Sequence, residues 1–301
     1  MPNIWSHILF GHQVWKKTGR PLPADQKPYQ LGCQGPDPLL YHRFWPWQPD
    51  TVVVELGNAI HRRHCGPFLL DLITAAKVHP DFRDYVAGFL THHILDRQTH
   101  PYIIYRSGEG KYKHQELEVM IDTLLAERMA GIQTWNTPVV PRIDVGKKMP
   151  DPWAVLLHQT AQSHFPGETK TLSPDHWQQA YQDMKRALRF FFDPWRIKWV
   201  FTLGKIAPFR YRPLPSGNPY LNENRREWLH PAVPEEKHQE SFIDLWEAAV
   251  EEGAPLLQAT FSYWEGEKPL SALERELGND SYETGKDCDS GLVNRVFAPI
   301  V

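Results

Sequence analysis

Apolar residues recur at helical spacing through most of the chain. In residues 3–17, Ile4, Ile8, Leu9 and Val14 mark one face until Gly19, Pro21 and Pro23 stop the pattern. Residues 52–62 and 67–77 read as two further helices. The longest periodic stretch is 81–107, whose core face carries Tyr85, Val86, Phe89 and Leu90. Pro101 removes a backbone donor there, so a kink or a break after His100 is expected. Helices are also predicted over 112–130, 152–164, 174–192 and 235–253, the last acidic, with Phe242, Leu245, Trp246 and Val250 inward. Residues 31–38 are a turn cluster, and 133–152 hold several prolines and no clear period. Residues 206–234, rich in Pro, Arg, Tyr and Trp, are expected to form a long ordered loop. There is no internal repeat, and the pattern predicts an all-α, multi-helix bundle.

Composition narrows the class. Thirty-three Lys+Arg stand against 36 Asp+Glu, a balance unlike that of an electrostatic nucleic-acid binder. Apolar residues at 41% are enough for a packed core. Three cysteines, an odd number, give no disulfide framework and point to a reducing compartment. The N-terminus lacks a basic segment followed by an apolar core, so no signal peptide is expected. No apolar run approaches the ~18 residues of a spanning helix, so no stable membrane insertion is expected. A soluble, cytoplasmic protein is the reading.

Candidate chemistry lies in the first half, where ten of the 15 histidines fall within residues 1–114. With roughly 100° per helical residue, Asp96, His100 and His93 all lie within about 100° of His92, on one face. His114 and Glu118 repeat the four-residue spacing on the next helix. Each candidate alone has a plain structural reading. His7 and His12 suit the surface of a terminal helix, and Asp37 suits a turn or cap. His61 and His64 beside Arg62 and Arg63 suit a solvated basic face, and His114 with Glu118 a surface pair. Together they point to metal. Imidazoles with carboxylates favour zinc over an all-oxygen magnesium or calcium site. The ligands exceed what one tetrahedral ion takes, so two or three ions are expected, with a carboxylate such as Asp96 bridging. Closely spaced ions of this kind serve in-line displacement at phosphorus.

These motifs resemble the zinc-dependent phospholipase C family, which shares its helical fold with fungal single-strand nucleases that bind three zincs. The resemblance is carried by His7, Gly35-Pro36-Asp37, His61, His92-x-x-x-Asp96, His100 and His114-x-x-x-Glu118. It implies one zinc held by Asp37, His61, His92 and Asp96, and a second by His100, His114 and Glu118. It implies a third held by Asp96, His7 and the N-terminal amine and first carbonyl, which Pro2 would supply if Met1 is removed. The step from Asp96 to His100 is shorter than in secreted members, so the turn there must be built differently. His93 leaves the first α-face ligand open between two adjacent imidazoles, with only the family spacing to Asp96 favouring His92. Residues 1–150 would form the metal-binding helical core, with 151–301 a helical remainder packed on the same domain.

The resemblance implies a phosphodiester hydrolase acting on a phospholipid or small phosphodiester, with Asp37 orienting or deprotonating the attacking water. Trp5, Phe44, Trp45 and Trp47 are either pocket wall or core. If lipid is the substrate, the loops at 41–47 and 206–220 are the expected contacts. The alternatives are a nuclease or nucleotidase, for which Arg210, Arg212, Arg225 and Arg226 give a modest basic patch, and a non-catalytic protein with closed zinc sites. An HD-type phosphohydrolase is set aside, because neither His93 nor His100 is followed by Asp. His238, expected on the acidic C-terminal helix, should lie away from the site.

Overall fold

The computed structural model of the protein describes residues 4–45, 47–48 and 52–301. It is mostly helical. The first half contributes α1 (Ile4–Lys17), α2 (Lys27–Gly32), α3 (Val52–Arg62), α4 (Cys65–Val78), α5 (Arg83–Ser107) and α6 (Lys113–Ala130). The second contributes α7 (Val140–Ile143), α8 (Asp151–His164), α9 (Pro166–Thr169), α10 (Pro174–Phe191), α11 (Ile197–Phe201), α12 (Phe242–Glu265) and α13 (Leu270–Leu277). A short antiparallel hairpin, β1 (Trp228–His230) and β2 (Val233–His238), lies before α12.

The axis of the molecule is α5. It is buried on nearly all sides, as a helix enclosed by neighbours must be. Its approach to α2 is set by two glycines: a Cβ on Gly32 would fall 1.9 Å from the Tyr85 carbonyl oxygen, and one on Gly88 would fall 2.2 Å from that of Tyr29. Backbone therefore lies on backbone, and the turn after α2 is delivered to the middle of α5. On the other flank, α12 packs against α1 and α5. Trp246 meets Phe10 edge-on at 5.3 Å and donates from its indole to Gln13 Oε1 at 2.8 Å. One hydrophobic core thus includes residues from both halves of the chain.

The structure departs from the sequence pattern in three places. The helix expected to kink or break after His100 runs on to Ser107 with Pro101 inside it. Only the Arg97 carbonyl loses its helical partner, and that oxygen faces the backbone of Gly285, where a Cβ would come within 2.2 Å of it. The helix predicted over 235–253 begins instead at Phe242 and extends to Glu265. Ser241 and Asp244 form a capping box that sets this start: Asp244 N–H donates to Ser241 Oγ at 3.1 Å and Ser241 N–H to Asp244 Oδ2 at 2.7 Å. Consequently His238 is on strand β2, not on a helix, and its ring stacks on Trp228 at 4.3 Å. The expected loop over 206–234 holds strand β1 near its end.

The three cysteines are free. Among the described residues no helix is long and apolar enough to cross a membrane. The last residues close the fold against the end of α5, with the N–H groups of Ala298 and Ile300 donating to the carbonyls of Tyr105 and Arg106 at 2.7 and 2.8 Å.

Candidate metal centre

Five elements bring their polar side chains to one buried place. The unbroken run of α5 projects His92, Asp96 and His100 from successive turns, and α6 adds His114 and Glu118. His7 comes from α1 and His61 from α3. Asp37 starts a short 3₁₀ turn, Asp37–Tyr41, so its place at a turn and its place among the candidate ligands are both realised. Ligand atoms gather in three groups, each within 4.8 Å: His7, His92 and Asp96; Asp37, His61 and His92; His100, His114 and Glu118.

The contacts within these groups have a consistent length. Asp96 Oδ1 lies 3.4 Å from His7 Nε2 and 3.7 Å from His100 Nε2, while its Oδ2 lies 3.1 Å from His92 Nε2. Asp37 Oδ1 lies 3.2 Å from His61 Nε2 and 3.8 Å from His92 Nε2. Glu118 Oε1 lies 3.5 Å from His100 Nε2 and 2.7 Å from His114 Nε2. Ligands at ~2.0–2.1 Å from a tetrahedral zinc stand roughly 3.3 Å from one another. Most of these separations therefore suit atoms sharing a cation.

Ring orientation supports the same conclusion. His61 Nδ1 contacts the Gly57 carbonyl at 2.7 Å, His92 Nδ1 that of Cys33 at 3.1 Å, and His100 Nδ1 that of Tyr282 at 2.9 Å. A carbonyl can only accept, so each Nδ1 carries the proton and each Nε2 presents a lone pair to the centre. Those three Nε2 atoms, His7 Nε2 and both carboxylate oxygens of Asp37 and Asp96 have no hydrogen-bond partner among the described residues. Each such buried group costs roughly 1–3 kcal/mol, more when charged. Acceptors facing acceptors in a dry interior call for a cation, and this donor set, imidazole nitrogen with carboxylate oxygen, fits zinc.

The electrostatics are consistent with that. Burial alone would raise the Asp96 carboxyl, but His100, His92 and His7 hold it well below the usual carboxylate range. Glu118 is likewise held low against burial, by His114 and His100. Burial pulls the imidazolium form of His92 down, yet Asp96 and Asp37 raise it overall. Burial, with His92 beside it, pushes His7 well below its ordinary value, and it stays neutral.

His93 is in none of the three groups. Its Nε2 contacts the Asp280 carbonyl at 2.7 Å and its ring lies 4.4 Å from that of Tyr282, away from the ligand groups. Of the two adjacent imidazoles, His92 is the one directed at the other candidate ligands. His12 faces Gln30, 3.0 Å away, outside the site. His64 lies near His164 and Phe165. Pro2 lies outside the described residues.

Sequence reasoning missed the supports of these ligands. Asp122 is one turn beyond Glu118 on α6, a spacing that marks it as facing the same interior. Its carboxylate accepts from the backbone of Trp5 and Ser6, the Ser6 hydroxyl and the Tyr211 hydroxyl, fixing the start of α1 and so His7. Burial pushes its carboxyl up to about 6 despite these donors. The second support is the segment after α13. Tyr282 N–H donates to the His61 carbonyl at 3.0 Å, as does Ser281 Oγ at 3.1 Å, while the Tyr282 carbonyl receives His100. No local pattern announces this strap, because its bonds are made mainly by backbone.

One side of the centre is open. A cleft of about 840 Å³ reaches His61, His100 and His114, with Tyr112, Leu292 and Val293 among its walls. Trp5 is buried and Phe44 packs on Phe191, so these two serve the core; Trp45 packs on Phe190 and stacks on exposed Trp47, and that pair lines a separate pocket with Arg43 and Arg186, not this cleft. Comparison with protein-family models, with curated proteins and with solved structures finds no match for the chain.

Proposed function

We propose that the protein is a zinc-dependent phosphodiester hydrolase of the phospholipase C type. The observation that carries this is the set of buried, donorless imidazole and carboxylate acceptors at the base of an open cleft. A structural zinc site is closed, whereas this one borders a space large enough for a phosphodiester head group. Zinc bound there would supply a water acidic enough to ionise near neutral pH, and positive charge to offset that growing on phosphoryl oxygens.

The chain's own residues do the rest. Gly57, Cys33 and Tyr282 carbonyls hold three imidazoles in one tautomer, so no rotation is needed when the site works. Asp96, between the ligand groups, supplies negative charge to all three. Asp37, within reach of His61 and His92, is placed to orient a water and accept its proton. The cleft does not favour a nucleic-acid substrate: Arg62 and Arg63 on its walls are matched by Glu109, Glu283 and Asp287.

Turnover of an aryl phosphodiester and of phosphatidylcholine by zinc-loaded protein tests the reading. Hydrolysis that disappears on chelation, returns with zinc and is lost in Asp37→Asn is expected. Bound zinc with no turnover of either diester would overturn it in favour of a non-catalytic metal protein.

A further inference from the structure

The described surface has one place where large apolar side chains concentrate. Trp195, Ile197, Val200, Phe201 and Leu203 fall within nine consecutive positions, with Trp195, Phe201 and Leu203 exposed at 82%, 84% and 87%. Such crowding on a soluble surface marks an interaction site. The side chains are held outward by a built structure. Asp193 accepts from the backbone N–H groups of Lys198 and Trp199 at 3.2 and 2.8 Å, capping α11. Arg196 and Leu203 adopt left-handed backbone, at φ 59° and 50°, on either side of that helix. This conformation is unfavourable for both residue types, and such strain collects at functional surfaces.

The charge around this patch is positive in excess. Arg186, Arg189, Arg196, Lys205, Lys147 and Lys148 are all exposed and border α10, α11 and the adjoining cleft. Of the neighbouring acids, Asp193 is turned to α11 and Asp144 to Lys185 at 2.7 Å, while Asp183 and Asp144 also pair with Arg186 and Arg189, which leaves Arg196, Lys205, Lys147 and Lys148 as the cations in excess. Exposed Trp and Phe beside cations is the composition of an element that lies in the head-group region of a membrane.

The patch also adjoins the catalytic cleft. Phe209, just beyond it, stacks on Phe191 at 4.6 Å and meets Tyr112 at 5.0 Å. Tyr112 lines the cleft with His114, and the cleft's own rim exposes Leu292 and Val293.

We infer that residues 195–205, with the cations around them, form a peripheral docking surface for an anionic lipid bilayer, placing the cleft mouth at the head groups. Docking stands on this surface alone; its service to catalysis rests on the phosphodiesterase reading above. The contact differs from the loop expected at 206–220, whose apolar side chains are buried or half-buried, with the exposed ones preceding it; in the 41–47 loop Trp47 is exposed as expected and stacks on Trp45, which packs on Phe190.

Co-sedimentation with mixed phosphatidylcholine and phosphatidylserine vesicles tests the proposal, with pure phosphatidylcholine vesicles beside them. Zinc-loaded and chelated protein should both bind the mixed vesicles, more weakly as salt rises, and bind the neutral ones poorly. Trp195→Ala with Phe201→Ala should weaken binding by roughly tenfold or more. Arg196→Gln with Lys205→Gln should weaken it roughly 25-fold, at about fivefold per cation near an anionic surface. All of these positions are exposed, and turnover of a soluble aryl phosphodiester should be unchanged in every variant. Applied to the unsubstituted protein, the two assays separate the two ideas: no binding to mixed vesicles with intact turnover condemns only the docking surface, and vesicle binding without turnover condemns only the enzyme reading. Absence of binding to mixed vesicles, equal binding by the variants, or a concentration-dependent dimer that the variants abolish would overturn the proposal.

Discussion

Gly35 is the residue on which the ligand geometry is most sharply testable. It sits at φ 51°, between the end of α2 and Asp37, and a Cβ there would lie 2.3 Å from His92 Cδ2 and 2.6 Å from Cγ. The ring cannot swing aside freely, because its Nδ1 is tied to the Cys33 carbonyl. For Gly35→Ala the left-handed backbone costs about 1–2 kcal/mol, and forcing a methyl into packed surroundings about 1–3 kcal/mol. The loss of stability should therefore total roughly 2–5 kcal/mol. Because His92 belongs to two ligand groups, zinc affinity should fall at least ~10–100-fold, as for loss of ligand support. Gly266→Ala is the matched control: φ is 84° and nothing lies within 4 Å of the added carbon, so only the backbone cost of about 1 kcal/mol applies. Urea unfolding of chelated protein, with zinc titration of each variant, measures both effects. Equal destabilisation of the two variants and unchanged zinc binding by Gly35→Ala would refute the placement of His92.

Asp96→Asn should lower zinc content more than any other single ligand change, since its carboxylate touches three imidazoles, whereas His238→Ala on β2 should leave the content unchanged; metal analysis of both checks this. Asp122→Ala should cost roughly 3–5 kcal/mol in denaturant unfolding, because it leaves several buried donors at the start of α1 unpaired. Burial, aided by Arg97, pushes His93 down to about 3. Its ordinary value is ~6.5, so between those limits the unfolded chain binds the extra proton and stability falls as pH falls. In chelated protein, His93→Gln should therefore unfold with a shallower dependence on pH across that window; an identical slope would show that His93 titrates normally.

The long helices were legible because apolar period and stop signals agree along them, as in residues 4–17, 52–62 and 113–130. Their ends were legible where chemistry marks them, and misread where the Ser241–Asp244 box was passed over for an acidic run beginning upstream. The passage through Pro101 was not legible, since the accommodation depends on Gly285, far away in sequence. The grouping of His92, Asp96, His100, His114 and Glu118 was legible from spacing on α5 and α6. The different directions of His92 and His93 were not, because they depend on the Cys33 and Asp280 carbonyls that take the two rings. Asp122 was within reach of the same spacing argument. The strap at Ser281 and Tyr282 was not, because it acts mainly through main-chain atoms that any sequence carries.

The central claim, that these buried acceptors are a multi-zinc site, is tested most directly by calorimetric zinc titration of chelated protein, with elemental analysis of the product. Two or three tightly bound ions per chain are expected, with proton release and a large rise in melting temperature, because binding the folded state alone shifts the unfolding equilibrium. Fewer than two ions, or binding that leaves the melting temperature unmoved, would contradict the account.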